Sequence, residues 1–207
     1  SSPLPLIFPD MRIPEVKVRV LGAGGGGEDK SIHELFKGKK SLLFAVPGAF
    51  TPICSEKHLP GFLAAHDKLK AEGIEIIACL SVNDPFVMAA WAKQQQVEEK
   101  IAMIADGNGI FTEAVGQLVD ETSYEMGMRS ERYAAVFNES LECIFFGKDE
   151  LSFADNVLEF LASQRAPCRA RRSRGLAVPV ELADEDLQRW DVARVGELFG
   201  EHSLGVL

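Results

Sequence analysis

Ser41-Leu42-Leu43-Phe44-Ala45-Val46-Pro47-Gly48-Ala49-Phe50-Thr51-Pro52-Ile53-Cys54 is the stretch from which the fold of this chain can be read. Its first six residues form an apolar run held between Lys39-Lys40 and Pro47, the pattern of a buried strand. Beyond it, Leu59, Phe62, Leu63, His66 and Leu69 recur at helical spacing. The stretch therefore reads strand, tight turn, helix. Thr51 suits the N-cap, and Pro52 suits the first helical position, where a missing N–H costs nothing. Cys54 becomes the third residue of that helix. Unpaired backbone N–H groups and the positive end of the helix dipole converge there. That setting favours the thiolate, the nucleophilic form of cysteine. The flanking Ser55, Glu56 and Lys57 are polar, so an accessible helix start is expected.

Outward from this stretch, residues 16–20 (Val-Lys-Val-Arg-Val) alternate and predict a strand, and residues 22–27 predict a flexible turn. A short helix is expected over 31–36, with Ser31 as cap and Glu34 at the capping-box spacing. Gly73 stops the Cys54 helix, and residues 74–80 predict a second buried strand. Residues 84–95 read as a helix with Pro85 at its first position, and 101–104 as a third strand. Residues 133–137 and 142–146 pair as a hairpin across Asn138-Glu139-Ser140, and 155–163 close as a helix. Strands alternating with helices, then a hairpin and a helix, indicate an α/β fold: a central mixed sheet with helices on both faces.

Composition changes after Ser163, so two regions are expected: a domain over 1–163 and a C-terminal extension over 164–207. Arg165, Arg169, Arg171, Arg172 and Arg174 are followed by an acidic stretch from Glu181 to Asp191. Leu187, Trp190, Arg194 and Leu198 share one helical face, which predicts an amphipathic helix over 184–199. Seven basic and seven acidic residues make the extension neutral, leaving the chain's net charge of −9 to the domain.

A chain of 207 residues can bury one good core with an appendage. A hydrophobic fraction of 46% is ordinary for a globular protein. The net charge of −9 argues against a general nucleic-acid or anionic-membrane binder. No apolar run approaches the roughly 18 residues of a membrane span. No positively charged start precedes an apolar core, so no retained secretory signal is expected. The first residue is not Met, and organellar processing and trimming stay equally open. Four cysteines at unpatterned spacings do not make a secreted disulfide framework, which favours a reducing compartment, cytoplasmic or organellar.

The string Pro47-x-x-x-Thr51-x-x-Cys54 after a buried strand resembles the peroxiredoxins, and PGAFTPICSEKHLPGF over 47–62 resembles their atypical branch, peroxiredoxin-5 and the plant type II enzymes. Two further blocks carry the same resemblance in the same order. One is Ala78-Cys79-Leu80-Ser81-Val82-Asn83-Asp84 with Phe86, Val87 and Trp91; the other is Gly127-Met128-Arg129-Ser130-Glu131-Arg132-Tyr133-Ala134. Together they cover roughly residues 10–163. The resemblance implies a thioredoxin-like fold and a thiol-dependent peroxidase in which Cys54 attacks hydrogen peroxide or a small alkyl hydroperoxide. The product is a sulfenic acid, which glutaredoxin with glutathione, or thioredoxin, restores. It also implies a homodimer with loops near Phe50 and Asp84-Pro85-Phe86 in contact, and no metal, haem or flavin.

Peroxide reduction needs a low-pKa thiol, a held peroxide and stabilisation of the departing oxygen. On the resemblance, Thr51 accepts from the peroxide or donates to the thiolate, and Pro47 shields the pocket from water. Arg129 lies over the thiolate and polarises the peroxide, because a guanidinium stays charged. Arg132 fits the same block as a supporting residue.

Other signals weigh less. Gly22-x-Gly24-x-x-Gly27 matches a dinucleotide fingerprint, but the run is nearly all glycine and no acidic residue ends a second strand at the required distance, so a mobile hairpin loop is the better reading. Cys54-x-x-x-His58 supplies two potential ligands and no second pair, so His58 is expected to pack or cap. Cys79 sits in an apolar strand as an inert core thiol; Cys143, in the hairpin, could face either way. Cys168 lies among arginines that would make it reactive. In the atypical two-cysteine members the resolving cysteine lies near the last core helix, where this chain has Leu151-Ser152-Phe153. Either Cys168 resolves the oxidised site from the extension, or an external thiol does; the second is preferred. Two rival functions remain: a peroxide sensor or relay passing oxidation to a partner, and a non-enzymatic interaction protein. A disulfide reductase is disfavoured, because the chain has no C-x-x-C.

Overall fold

The computed structural model describes residues 12–21, 27–97 and 99–165, all within one compact unit, Ser1–Ala166. The second unit, Pro167–Leu207, lies outside the described residues, and with it Cys168 and the helix expected over 184–199.

The apolar run opens the fold as expected: β3 spans Ser41–Val46 and all six residues are buried. A strand buried on both faces needs cover on both, and the clusters show it. Leu42, Phe44 and Val46 pack into one cluster with α2 (Leu59–Ala71), α3 (Pro85–Gln94) and α5 (Ala154–Arg165). Leu43 and Ala45 pack into the other with α1 (Ile32–Phe36) and α4 (Ile110–Ala114). One strand, read with period two, thus feeds two layers of helices.

Around β3 the seven-stranded sheet runs in the order β2 (Gly27–Ser31), β1 (Lys17–Leu21), β5 (Ala102–Ala105), β4 (Ile76–Ser81), β3, β8 (Tyr133–Phe137), β9 (Cys143–Lys148). β4 (Ile76–Ser81) and β5 (Ala102–Ala105) continue it in parallel on one side. β8 (Tyr133–Phe137) pairs antiparallel on the other and β9 (Cys143–Lys148) completes the expected hairpin, with a bulge at Val136/Phe137. The mixed sheet with helices on both faces matches the thioredoxin-like architecture. The capping box of α1 is present in full: Glu34 N–H donates to Ser31 Oγ and Ser31 N–H to the Glu34 carboxylate. Asp84 caps α3 through Phe86 and Val87 N–H, with Pro85 in its first turn.

Two differences from the sequence reading have physical causes. β2 (Gly27–Ser31), following β1 (Lys17–Leu21), is polar and shows no alternation; it is an edge strand whose order comes from pairing with β1. A strand after Gly27 also removes the helix N-terminus that a dinucleotide site requires. Secondly, β6 (Leu118–Asp120) and β7 (Met128–Ser130) form a separate two-stranded sheet too short to show a period.

The topology places the site. β3, β4 and β5 are parallel, so the loops leaving their C-terminal ends open at one edge, where α/β folds bind ligands. β8 runs the opposite way, and Tyr133 lies opposite Ala45. The segment entering β8 is therefore level with the end of β3 and with the start of the Cys54 helix.

Candidate active site

The helix after β3 begins at Pro52, and Ser55 N–H donates to the Thr51 carbonyl at 3.0 Å, so Cys54 is its third residue as expected. The Thr51 side chain does not cap: Oγ1 donates to the Gly48 carbonyl at 2.9 Å, tightening the turn instead. Its proton is thereby used, and what Thr51 can offer a substrate is an acceptor lone pair.

Cys54–His58 is a π-turn, with Leu59 N–H donating to the Cys54 carbonyl five residues back. Nothing in the sequence pattern predicts it. Cys54 and His58 both end fully buried. The helix start is exposed at Pro52, Ile53, Glu56 and Lys57, as its polar residues suggest, but the turn directs the Cys54 thiol inward.

The group that meets the sulfur is the guanidinium of Arg132. Its Nη2–H donates to Cys54 Sγ at 3.2 Å, and its Nη1 lies 3.0 Å from His58 Nδ1. His58 Nε2 lies 3.1 Å from the Ser152 carbonyl, which can only accept, so Nε2 carries the proton and Nδ1 accepts from Arg132. Phe44, Phe62 and Phe153 surround the imidazole with ring centroids 5.2, 5.5 and 5.0 Å away. Burial, followed by Arg132 as a further lowering cause and opposed by the Ser152 bond, holds the His58 pKa down at about 4. His58 is therefore neutral, and the positive charge at the site belongs to Arg132. A charged donor on a buried sulfur stabilises negative charge there.

Arg129 is placed elsewhere. Its Nε donates to the Met126 carbonyl at 2.8 Å and its Nη1 to the Val82 carbonyl at 3.0 Å. It ties the β6–β7 hairpin to the end of β4, and its Nη1 would be 3.7 Å from a Cβ added at Gly48. Arg129 thus fastens the β6–β7 hairpin to the segment after β4, with the N–H groups of Nε and Nη1 turned to main-chain carbonyls rather than to the sulfur. The arginine that meets the sulfur is Arg132 and not, as expected, Arg129. The reason is topological: Arg132 precedes Tyr133 of β8 beside β3, whereas Arg129 belongs to β7.

The loop that carries Pro47 and Thr51 is held from β4. Asn83 Oδ1 accepts from Ala49 N–H at 2.9 Å and lies 2.8 Å from the Ser81 hydroxyl. A Cβ at Gly48 would stand 3.1 Å from Thr51 Cγ2, so a small residue lets the turn close. Phe50 sits in the left-handed region at φ 65°, a local strain at the tip of the loop. Pro47 is half-buried at the loop's base. Trp91, fully buried in α3, donates through Nε1 to Ser55 Oγ at 3.0 Å and so anchors the first helical turn.

The remaining described thiols are not activated. Burial, with Cys54 nearby as a lesser cause, pushes Cys79 well above the ordinary range. Cys143 is pushed up to about 11 by burial, partly offset by its bond to the Phe145 carbonyl. The segment Leu151-Ser152-Phe153, near the last core helix, holds no cysteine, and its Ser152 is fully buried. Among the described residues no group of three or more His, Cys, Asp or Glu could hold a metal ion. None of the described helices is long and apolar enough to cross a membrane.

The Redoxin family model matches residues 8–140. Peroxiredoxin-2B of Arabidopsis thaliana is 42% identical over 135 residues, covering 63% of this chain and 83% of its own length. The reduced Prx3 of Vibrio vulnificus in complex with hydrogen peroxide superposes with a TM-score of 0.69 at 40% identity, covering 75% of this chain and 96% of its own. Peroxiredoxin 5 of Alvinella pompejana superposes with a TM-score of 0.67 at 37% identity, over 74% of this chain and 96% of its own.

Proposed function

This chain belongs to the peroxiredoxins, thiol peroxidases of the redoxin family, and from that premise we propose that Cys54 is its peroxidatic cysteine, with hydrogen peroxide and small alkyl hydroperoxides as substrates. The observation that carries the assignment is the Arg132 Nη2–H donated to Cys54 Sγ at 3.2 Å, beside the loop of Pro47 and Thr51. The thiolate attacks one peroxide oxygen: an S–O bond forms and the O–O bond breaks. Sulfur loses two electrons and becomes sulfenic acid, and the second oxygen leaves as water or alcohol after taking a proton. Thr51 accepts from the peroxide O–H, since its own proton is held by Gly48. Arg132 donates to the oxygen that gains charge as the bond breaks. Pro47 shields the pocket from water. Arg129, first expected over the sulfur, contributes by fastening the β6–β7 hairpin to the segment after β4.

Recycling is assigned to an external thiol, glutaredoxin with glutathione or thioredoxin. In support, the described Cys79 and Cys143 are protected thiols and the segment Leu151-Ser152-Phe153 has no cysteine. Cys168 stays the alternative resolving thiol from the extension. A reducing intracellular compartment, cytoplasmic or organellar, suits the three free described cysteines, and one relative is named chloroplastic. A homodimer is proposed on the large apolar side chains left exposed: Phe50 and Ile53 flank Cys54, and Phe86 and Ile110 begin α3 and α4.

The test is intact mass after one equivalent of hydrogen peroxide with a sulfenic-acid trap present, followed by peptide mapping. A trap adduct on Cys54 is expected. Loss of two hydrogens with Cys54 joined to Cys168 would transfer resolution to the extension, and an unmodified Cys54 would end the peroxidase assignment.

A further inference from the structure

The sulfur of Cys54 is reached by a guanidinium that is itself held by a second side chain, and that side chain is held by a third segment. Ser152, in the 3-10 turn Asp149–Ser152, is 94 residues from His58 in the chain. Its carbonyl accepts the Nε2 proton of His58, which leaves Nδ1 as a lone pair facing Arg132 Nη1–H. A guanidinium is a planar fork. Fixing Nη1 on His58 fixes the direction of Nη2, and Nη2 is the nitrogen whose N–H meets Cys54 Sγ. The π-turn brings His58 and Cys54, four residues apart, to the same guanidinium.

We infer that His58 is a positioning residue of the peroxidatic site: as a neutral Nε2–H imidazole clamped on the Ser152 carbonyl, it aims Arg132 at the Cys54 sulfur. The inference rests on Cys54 being the reacting thiol. It gives His58 a task beyond packing, since a purely structural histidine in the Phe44, Phe62 and Phe153 box would not need a lone pair directed at Arg132. It also explains the fit of the turn that carries Ser152. A Cβ on Gly147 in β9 would stand 2.5 Å from the Leu151 carbonyl oxygen, so glycine lets the turn press against the sheet. The charged and titratable groups facing Cys54 are Arg132 from the segment entering β8, His58 on its own turn, and Cys79 in β4. His58 in turn faces Arg132, the Ser152 carbonyl and the three phenylalanine rings.

The experiment compares wild type, His58→Phe and His58→Asn in the rate of Cys54 alkylation by iodoacetamide at one fixed pH, in parallel with the peroxide reaction. Phenylalanine keeps a ring in the aromatic box but removes the acceptor. Asparagine restores an acceptor oxygen close to the Nδ1 position. In His58→Phe the alkylation rate and the peroxide rate are each expected to fall about tenfold, the size of one charged hydrogen bond lost. His58→Asn is expected to recover most of both. Equal impairment in the two variants, or an unchanged alkylation rate in His58→Phe, overturns the inference. Should His58→Phe not fold, the imidazole 15N shifts of wild type decide. A protonated Nε2, a bare Nδ1 and no titration between pH 8 and 5 are required; an Nδ1–H tautomer or a midpoint near 6.5 overturns it. Alkylation needs no peroxide chemistry, so failure here leaves the assignment of Cys54 standing, while an unmodified Cys54 in peroxide would remove that assignment directly.

Discussion

Arg129 and Arg132 are three residues apart, carry the same charge and are both half-buried, yet they serve different parts of one site. Arg132 spends its two terminal nitrogens on side chains, Cys54 Sγ and His58 Nδ1. Arg129 spends its N–H groups on main-chain carbonyls, those of Met126 and Val82. The first arrangement places charge on the Cys54 sulfur; the second fastens two loops. What separates them is strand membership. Arg132 enters β8, which pairs with β3 and so with the strand that launches the Cys54 helix, while Arg129 lies in the small β6–β7 sheet. Charge and spacing within a motif are thus weaker guides to function than the register of the strand that carries it.

The largest effect should come from breaking the first arginine's contact. Arg132→Met removes the charged donor at the sulfur, and the rate constant with hydrogen peroxide should fall by about 10²–10³-fold, as when an oxyanion donor is lost. Stopped-flow measurement of peroxide consumption checks this; a loss below about fivefold would move the activating charge elsewhere.

The partner of that arginine can be read through stability. Folded His58 takes a proton only near pH 4, whereas an ordinary histidine does so near 6.5. Between those values the unfolded chain binds more protons, so stability is full above about pH 6.5 and falls as pH drops toward 4. The total is on the order of 3 kcal/mol. Urea midpoints measured from pH 7.5 to 4.5 should show this decline in wild type and a flatter one in His58→Asn. Equal slopes would mean that His58 is not buried neutral.

Breaking the second arginine sharpens the contrast. Arg129→Met should lower the unfolding midpoint, since the Val82 and Met126 carbonyls lose donors, while the peroxide rate falls by less than about tenfold. A loss as large as that of Arg132→Met would erase the distinction. The smallest effect is expected at Trp91→Phe, which leaves Ser55 Oγ without its indole donor and should cost about 1 kcal/mol in thermal unfolding, with Cys54 still reactive.

Much of this was legible beforehand because it depends on local chemistry. The six apolar residues of β3, the Ser31–Glu34 capping box, Asp84 before Pro85, and Cys54 at the third helical position all follow from neighbours in sequence. The arginine assignment did not, although a signal existed. Ala134 and Val136 pack on the α2 face of the sheet and Tyr133, Ala135 and Phe137 on the other. Extending that alternation back by one residue puts Arg132, not Arg129, on the face of Cys54. His58 could not be read as a linker, since its partners are 74 and 94 residues away and the π-turn that aims it has no sequence mark. The buried thiol was missed for the same reason: polar neighbours report the outer side of a turn, not the direction of the cysteine between them.

The most direct measurement is the rate of Cys54 alkylation at one fixed pH in wild type, Arg132→Met and Arg129→Met, side by side and without peroxide. A guanidinium donating to the sulfur at 3.2 Å is lost only in Arg132→Met, so the rate should fall about tenfold there and stay within about twofold in Arg129→Met. A rate that falls in Arg129→Met and holds in Arg132→Met would contradict the account.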